Sequence, residues 1–171
     1  KKISKKCDTF TIDLNSENCP FWSNNKKYTN FYKNKWVNIS QNFQNSDGFI
    51  LVVPEYGGMA SPLSKNLFLM CDKGEFFHKP GLIVSISSGI GGAYPISELR
   101  SSSYKNSHIL WIPENIIIRN VEQYNPGNHG NEIPTWLDKR IDYCLDLLLG
   151  YSKYLVPVQK HINKEDFKNG M

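Results

Sequence analysis

Phe49-Ile50-Leu51-Val52-Val53-Pro54-Glu55-Tyr56-Gly57-Gly58 is the stretch on which the reading of this 171-residue chain turns. Five apolar residues in a row, bounded by Asp47-Gly48 before and by Pro54 and two glycines after, read as a short strand buried on both faces. Strands of that kind belong to parallel sheets covered by helices. Just beyond the turn, Ser61 offers an N-cap and Pro62 a first helical residue. The helix that begins there carries Leu63, Leu67 and Met70 on one stripe.

The pattern continues in both directions. Gly81-Leu82-Ile83-Val84-Ser85-Ile86 reads as a second buried strand and runs into Ser87-Ser88-Gly89-Ile90-Gly91-Gly92-Ala93. A helix over roughly 96–104 follows. His108–Pro113 and Ile116–Ile118 are apolar and β-rich and read together as one further strand, and a last helix starts near Pro134, with Leu137, Ile141, Cys144, Leu145, Leu148 and Leu155 on one side. Upstream, Tyr28, Phe31, Tyr32, Trp36, Ile39 and Phe43 recur at helical spacing. Thr9–Leu14 alternates Phe10, Ile12 and Leu14 with polar residues, the period of a strand. Strands alternating with helices predict an α/β domain: a doubly wound parallel sheet in three α/β/α layers. The expected domain is 1–171, with its core at about 7–156 and a polar, loosely packed tail from 157.

Composition narrows the function classes. Apolar residues make up 40% of the chain and charged residues 21%, as in ordinary globular domains. The net charge of +4 comes from scattered lysines and not from a basic patch, which argues against a nucleic-acid surface. No run is long and apolar enough to predict a membrane span. Cys7, Cys19, Cys71 and Cys144 form no C-x-x-C pair, and the four histidines have no metal-ligand spacing. Reduced thiols, a cytoplasmic location and no metal centre are the resulting expectations.

In a sheet of this type ligands bind at the carboxyl ends of the strands, where the strand order reverses. Two loops lie there: Pro54, Glu55, Tyr56, Gly57 and Gly58 after the first buried strand, and Ser87, Ser88, Gly89, Gly91 and Gly92 after the second. Glycines let backbone approach a flat ligand, and each loop leads into a helix N-terminus, which favours electron-rich groups. These ten residues are the candidate cofactor-binding set. No acid–base or nucleophile triad is visible, so no catalytic side chain is assigned.

The combination resembles the NAD(P)H-dependent FMN reductase family, a flavodoxin-like group with quinone, chromate and azo-dye reductases among its members. Pro54-Glu55-Tyr56 and Lys65-Asn66 match that family's P-E-Y-N and K-N elements. Ser87, Ser88, Gly91, Gly92, Leu99 and Arg100 match its S-S-x-G-x-x-G-G pattern followed by L-R. Gly57 stands where the family usually has Asn, and Leu69 where it often has an acidic residue. The resemblance runs from about Thr9 to Leu155. It implies FMN as cofactor, NAD(P)H as hydride donor, a quinone-like or other small acceptor, and a homodimer or homotetramer. A flavin-binding electron carrier, or a redox-responsive interaction protein without turnover, is the alternative that the same residues allow.

The family also begins with a strand and a G-S-x-R-x-x-S type loop that holds the FMN phosphate, and no such motif occurs in this chain. On the flavodoxin-like strand order 2-1-3-4-5 the Thr9 strand would be the second and the Phe49 strand the third. The expectation is therefore a further βα unit of roughly 30 residues ahead of Lys1, with the Thr9 and Phe49 strands not paired to each other.

Overall fold

The computed structural model describes residues 2–24, 30–124 and 131–166. Its sheet has four strands in the order β2-β1-β3-β4. β1 (Phe49–Tyr56), β3 (Pro80–Ile86) and β4 (Leu110–Ile118) are parallel, and β2 (Met59–Ala60) turns back antiparallel on the end of β1. Helix α1 (Val37–Gln44), entered through a π-helical turn at Tyr32–Trp36, lies on one face with α2 (Pro62–Met70) and α3 (Tyr94–Ser102). A short α4 (Tyr104–Ser107) follows, and α5 (Thr135–His161) covers the other face. The strand period divides the core accordingly. Leu51, Val53 and Ile83 face α1 to α3, whereas Leu82, Ile112 and Ile116 face α5. The fold is the flavodoxin-like α/β layering.

Several elements differ from expectation. Thr9–Leu14 is not a strand, because no described strand pairs with it. Its alternation survives as packing. Ile12 and Leu14 lean on the α1-side core, and the Phe10 ring meets Phe43 edge-on at 5.7 Å. An extended segment without a backbone neighbour leaves its amides to water and forms no ladder. The two β-rich pieces near His108 and Ile116 form the one strand expected there, β4. Its register against β3 shifts between Gly81 and Ile83, so the Pro113 region bulges. Arg100 braces that bulge through hydrogen bonds to the Ile112 and Glu114 carbonyls. The last helix runs through Pro157 to His161, past the expected start of a loose tail. Pro157 removes one helical N–H, but Gln159 Nε2 donates to the His78 carbonyl at 3.2 Å and ties that end to the body. Residues 161–163 and Asp166 then close a cavity of about 480 Å³ with Phe77, His78 and His108. Tyr28 and most of the polar loop predicted over 124–131 lie outside the described residues. No described helix is long and apolar enough to cross a membrane.

Lys79, only 3% exposed, closes the end of α1 by donating from Nζ to the carbonyls of Phe43 (2.6 Å) and Gln44 (2.8 Å). Burial, reinforced by the charge of Lys164, lowers its pKa from 10.5 to about 8. Between those values the unfolded chain binds more protons than the folded one, so stability rises with pH across that window. Tyr32 acts in the opposite sense above roughly pH 10, because burial pushes its phenol up to about 12. The denaturant midpoint is therefore expected to climb between about pH 8 and 9.5. The climb should shrink in Lys79→Met, and equal slopes in the two proteins would contradict this assignment.

Candidate functional site

The carboxyl ends of β1 and β3 place the two glycine loops side by side. β1 ends in a two-residue hairpin. Glu55 pairs with Ala60, Tyr56 pairs with Met59, and Gly57 and Gly58 bridge them at φ of 58° and 76°. Positive φ at both central residues is the type I′ arrangement, which Asn-Gly and Gly-Gly satisfy equally. Gly57 in place of Asn therefore preserves this backbone. The hairpin is held from α3. The Ala60 N–H donates to Glu98 Oε2 at 2.7 Å, and Lys65 forms an ion pair with the same carboxylate. The Lys65 hydrogen bond, followed by that of Ala60, holds the Glu98 carboxyl below its usual pKa.

Lys65-Asn66 thus has an architectural task here. Asn66 is buried. Its Oδ1 accepts from the Trp22 N–H at 2.7 Å, and its Nδ2 donates to the Pro20 carbonyl at 3.0 Å, fixing the 20–22 segment on α2.

The second loop is clamped from two sides. On one side, the Gly92 N–H donates to Glu55 Oε2 at 2.7 Å. On the other, Arg119 Nε donates to the carbonyls of Ile90 (2.7 Å) and Gly91 (3.0 Å). All described peptides are trans, so each N–H points opposite to the carbonyl of its own peptide plane. With both carbonyls turned to Arg119, the Gly91 and Gly92 N–H groups face the Glu55 side. Two successive N–H groups on one side suit electron-rich atoms, and here the Glu55 carboxylate already takes that of Gly92. Inside the loop, Ser87 Oγ accepts from the Gly89 N–H, and the Ser87 and Gly89 carbonyls accept from Val121 and Asn120.

Each glycine has its own reason. A Cβ on Gly92, at φ 103°, would stand 2.5 Å from Ile117 Cγ2. A Cβ on Gly91 would stand 2.3 Å from Glu55 Oε1. Close approach to Glu55 is thus one reason for glycine at this position. Gly58 and Gly89 have no atom within 4 Å of an added Cβ and face open space. Ser88 is exposed, and around the loops Tyr56, Met59, Ile90 (84% exposed) and Tyr94 present apolar surface. Beneath Gly92, the Ser85 hydroxyl is fully buried and has no hydrogen-bond partner among the described residues.

The ten expected residues therefore fall at one edge, in two loops joined by the Glu55–Gly92 hydrogen bond. The groove beside β1 takes in Pro54 and Tyr56 but none of the second loop. Sequence reading passed over Arg119. Its signal was faint: a lone arginine immediately after an apolar strand, 28 residues from the nearer of the two carbonyls it binds.

The sequence pattern of a family described as NADPH-dependent FMN reductase matches residues 1–123. None of the curated proteins matches the chain significantly. Among solved structures, an oxidoreductase from Corynebacterium diphtheriae superimposes with a TM-score of 0.59 at 16% identity, over 71% of this chain and 63% of its own. FerB, an NAD(P)H:(acceptor) oxidoreductase from Paracoccus denitrificans, gives 0.55 at 16% identity, over 86% of this chain and 79% of its own. The apo form of the NADH:FMN oxidoreductase EMOB gives 0.52 at 8% identity, over 83% and 67%. This chain thus spans less than two thirds of the first of these proteins.

Proposed function

Because the chain belongs to the NADPH-dependent FMN reductase family, we propose that it holds FMN against the two loops at the carboxyl edge of the sheet and serves an NAD(P)H-dependent reductase whose second substrate is a small acceptor of quinone type. The observation that carries this reading is the Glu55–Gly92 hydrogen bond. It joins the two loops into one surface.

The described residues suit the ring of a flavin. Open glycines allow close approach, and the exposed apolar side chains of Tyr56 and Ile90 offer faces for a flat aromatic system. Toward its phosphate they offer less: Lys65 is paired with Glu98, and Arg119 spends its Nε on two backbone carbonyls. When bound, FMN supplies the two-electron chemistry. The protein's own part is to fix the loop, to donate backbone hydrogen bonds, and to keep both substrates on one side of the sheet. The exposed Tyr56, Met59, Ile90 and Tyr94 also form an apolar rim suited to a second copy of the chain, which supports a homodimer.

The test is direct. Purified protein with FMN should show a flavin spectrum and oxidise NADPH when a quinone is added. A flavin spectrum without oxidation of either nicotinamide would make it a carrier, and no flavin uptake would overturn the proposal. Arg119→Ala should speed amide exchange at residues 88–92 and weaken FMN binding several-fold, with Arg119→Lys in between. Unchanged exchange in Arg119→Ala would show that the clamp is not what orders the loop.

A further inference from the structure

At the amino edge of the sheet, opposite the glycine loops, three segments distant in sequence bring imidazoles to one cavity. His78 stands just before β3, His108 just before β4, and His161 at the end of α5. All three line the cavity of about 480 Å³, with Phe77, Ile162, Asn163 and Asp166. The first two are fixed in place. Both sit in the left-handed region, at φ of 52° and 54°, and the His78 N–H donates to the His108 carbonyl at 2.9 Å. Their rings lie 5.7 Å apart, and the buried Phe77 ring meets both, at 4.4 and 5.0 Å.

The third side is held differently. Gln159 Nε2 ties the end of α5 to the His78 carbonyl, and Pro157 removes a helical N–H just ahead of that turn. Beyond the helix, Asn163 organises a turn of its own. Its Nδ2 donates to Asp166 Oδ1 at 2.8 Å, and its Oδ1 accepts from the Glu165 N–H. The Lys164 ammonium stands over the Phe77 ring at 5.9 Å. Among the described residues no group of three His, Cys, Asp or Glu side chains is placed to hold a metal ion. The chemistry left to the imidazoles is proton uptake.

We propose that this corner is an acid-operated latch: the last turn of α5 and residues 162–166 lie shut over the amino edge of β3 and β4 while the three imidazoles are neutral, and swing away as these take up protons. Charge decides the direction. Around the cavity stand Glu75 and Lys79 before β3, Lys105 on α4, Lys160 on α5, and Lys164, Glu165 and Asp166 beyond it. Glu75 is committed to Ser40 Oγ and the Lys73 N–H, and Lys79 to the end of α1. Asp166 is the one carboxylate on the cavity wall. Against it, protonation would set imidazolium charges a ring's width apart, beside Lys164, in a partly closed space where like charges repel strongly.

The closed form resists that protonation. Burial, and then the neighbouring His108, hold the His78 imidazole below its ordinary 6.5. The open form therefore binds the proton more tightly, so closure is fully present above about pH 6.5 and is lost as pH falls below it. Opening uncovers Phe77 at the end of the strands that the candidate site does not use.

The experiment measures amide protection factors, which remove the intrinsic pH dependence of exchange, on the whole 171-residue chain between about pH 7.5 and 5.5. Protection at 159–162 is expected to fall by about tenfold or more, one proton or more per opening, while 82–85 in β3 keep theirs. His78→Gln and His161→Gln should each flatten the fall. The His161 side chain is exposed, so the second variant keeps the fold if the first does not. Level protection at 159–162 overturns the proposal, as does protection that grows on acidification because Asp166 captures an imidazolium. A fall shared by 82–85, or one of equal size in parent and variants, overturns it as well. None of these outcomes depends on flavin, so the latch can fail while the reductase reading stands.

Discussion

Glu55→Ala is expected to weaken FMN binding by at least about tenfold, roughly 1.4 kcal/mol. The carboxylate is the only described acceptor for the Gly92 N–H and joins the two loops across 37 residues of sequence. Hydrogen bonds to a charged acceptor contribute about 1.5–3 kcal/mol. Removing this one frees the second loop to spend time in conformations that cannot meet a flat ligand, and binding must first reverse that. Glu55→Gln keeps an acceptor oxygen at the same reach and should retain most of the affinity. Gly91→Val should resemble Glu55→Ala, because its branched side chain would displace the carboxylate it now touches. Fluorescence titration of FMN against the three variants checks the order. Equal affinity in Glu55→Ala and the parent would remove Glu55 from the site.

Gly81→Val is expected to destabilise the fold by about 3 kcal/mol or more, through overpacking of a site that cannot relax. Gly81 opens β3 beneath an aromatic cluster, and a Cβ there would lie 2.4 Å from Phe49 Cζ and 2.8 Å from Trp111. Neither ring has room to move. Phe49 packs on Phe76 at 4.7 Å and on Trp111 at 5.4 Å, and Trp111 is further fixed by Phe68 and by its bond to Ser103 Oγ. For a chain of this size the melting temperature should fall by roughly 6–12 °C. A fall of less than about 2 °C would mean the cluster is softer than its ring spacings indicate.

The sequence was most informative where a residue's environment follows from its neighbours in the chain. β1 and β3 were legible as uninterrupted apolar runs, and the start of α2 was legible from Ser61 and Pro62. The two loops followed from glycines at strand ends. Thr9–Leu14 misled because alternation reports which side chains face the core, whereas a strand also needs a backbone partner. β2 is two residues long and leaves no periodic trace. The passage of α5 through Pro157 rests on Gln159 and the His78 carbonyl, 81 residues apart, which no local pattern announces. In the candidate site, sequence put Glu55 in the first loop but not its bond to Gly92, because a carboxylate facing an N–H in a distant loop looks the same in sequence as one facing solvent.

The groove beside β1 gives the molecule a chemical reporter that needs no substitution. Of the four thiols, Cys71 and Cys144 are buried and Cys19 is partly covered, while Cys7 is exposed and lines the groove. Burial raises the pKa of the Cys144 thiol, which further suppresses its alkylation. Under native conditions a maleimide or iodoacetamide should therefore mark Cys7 first.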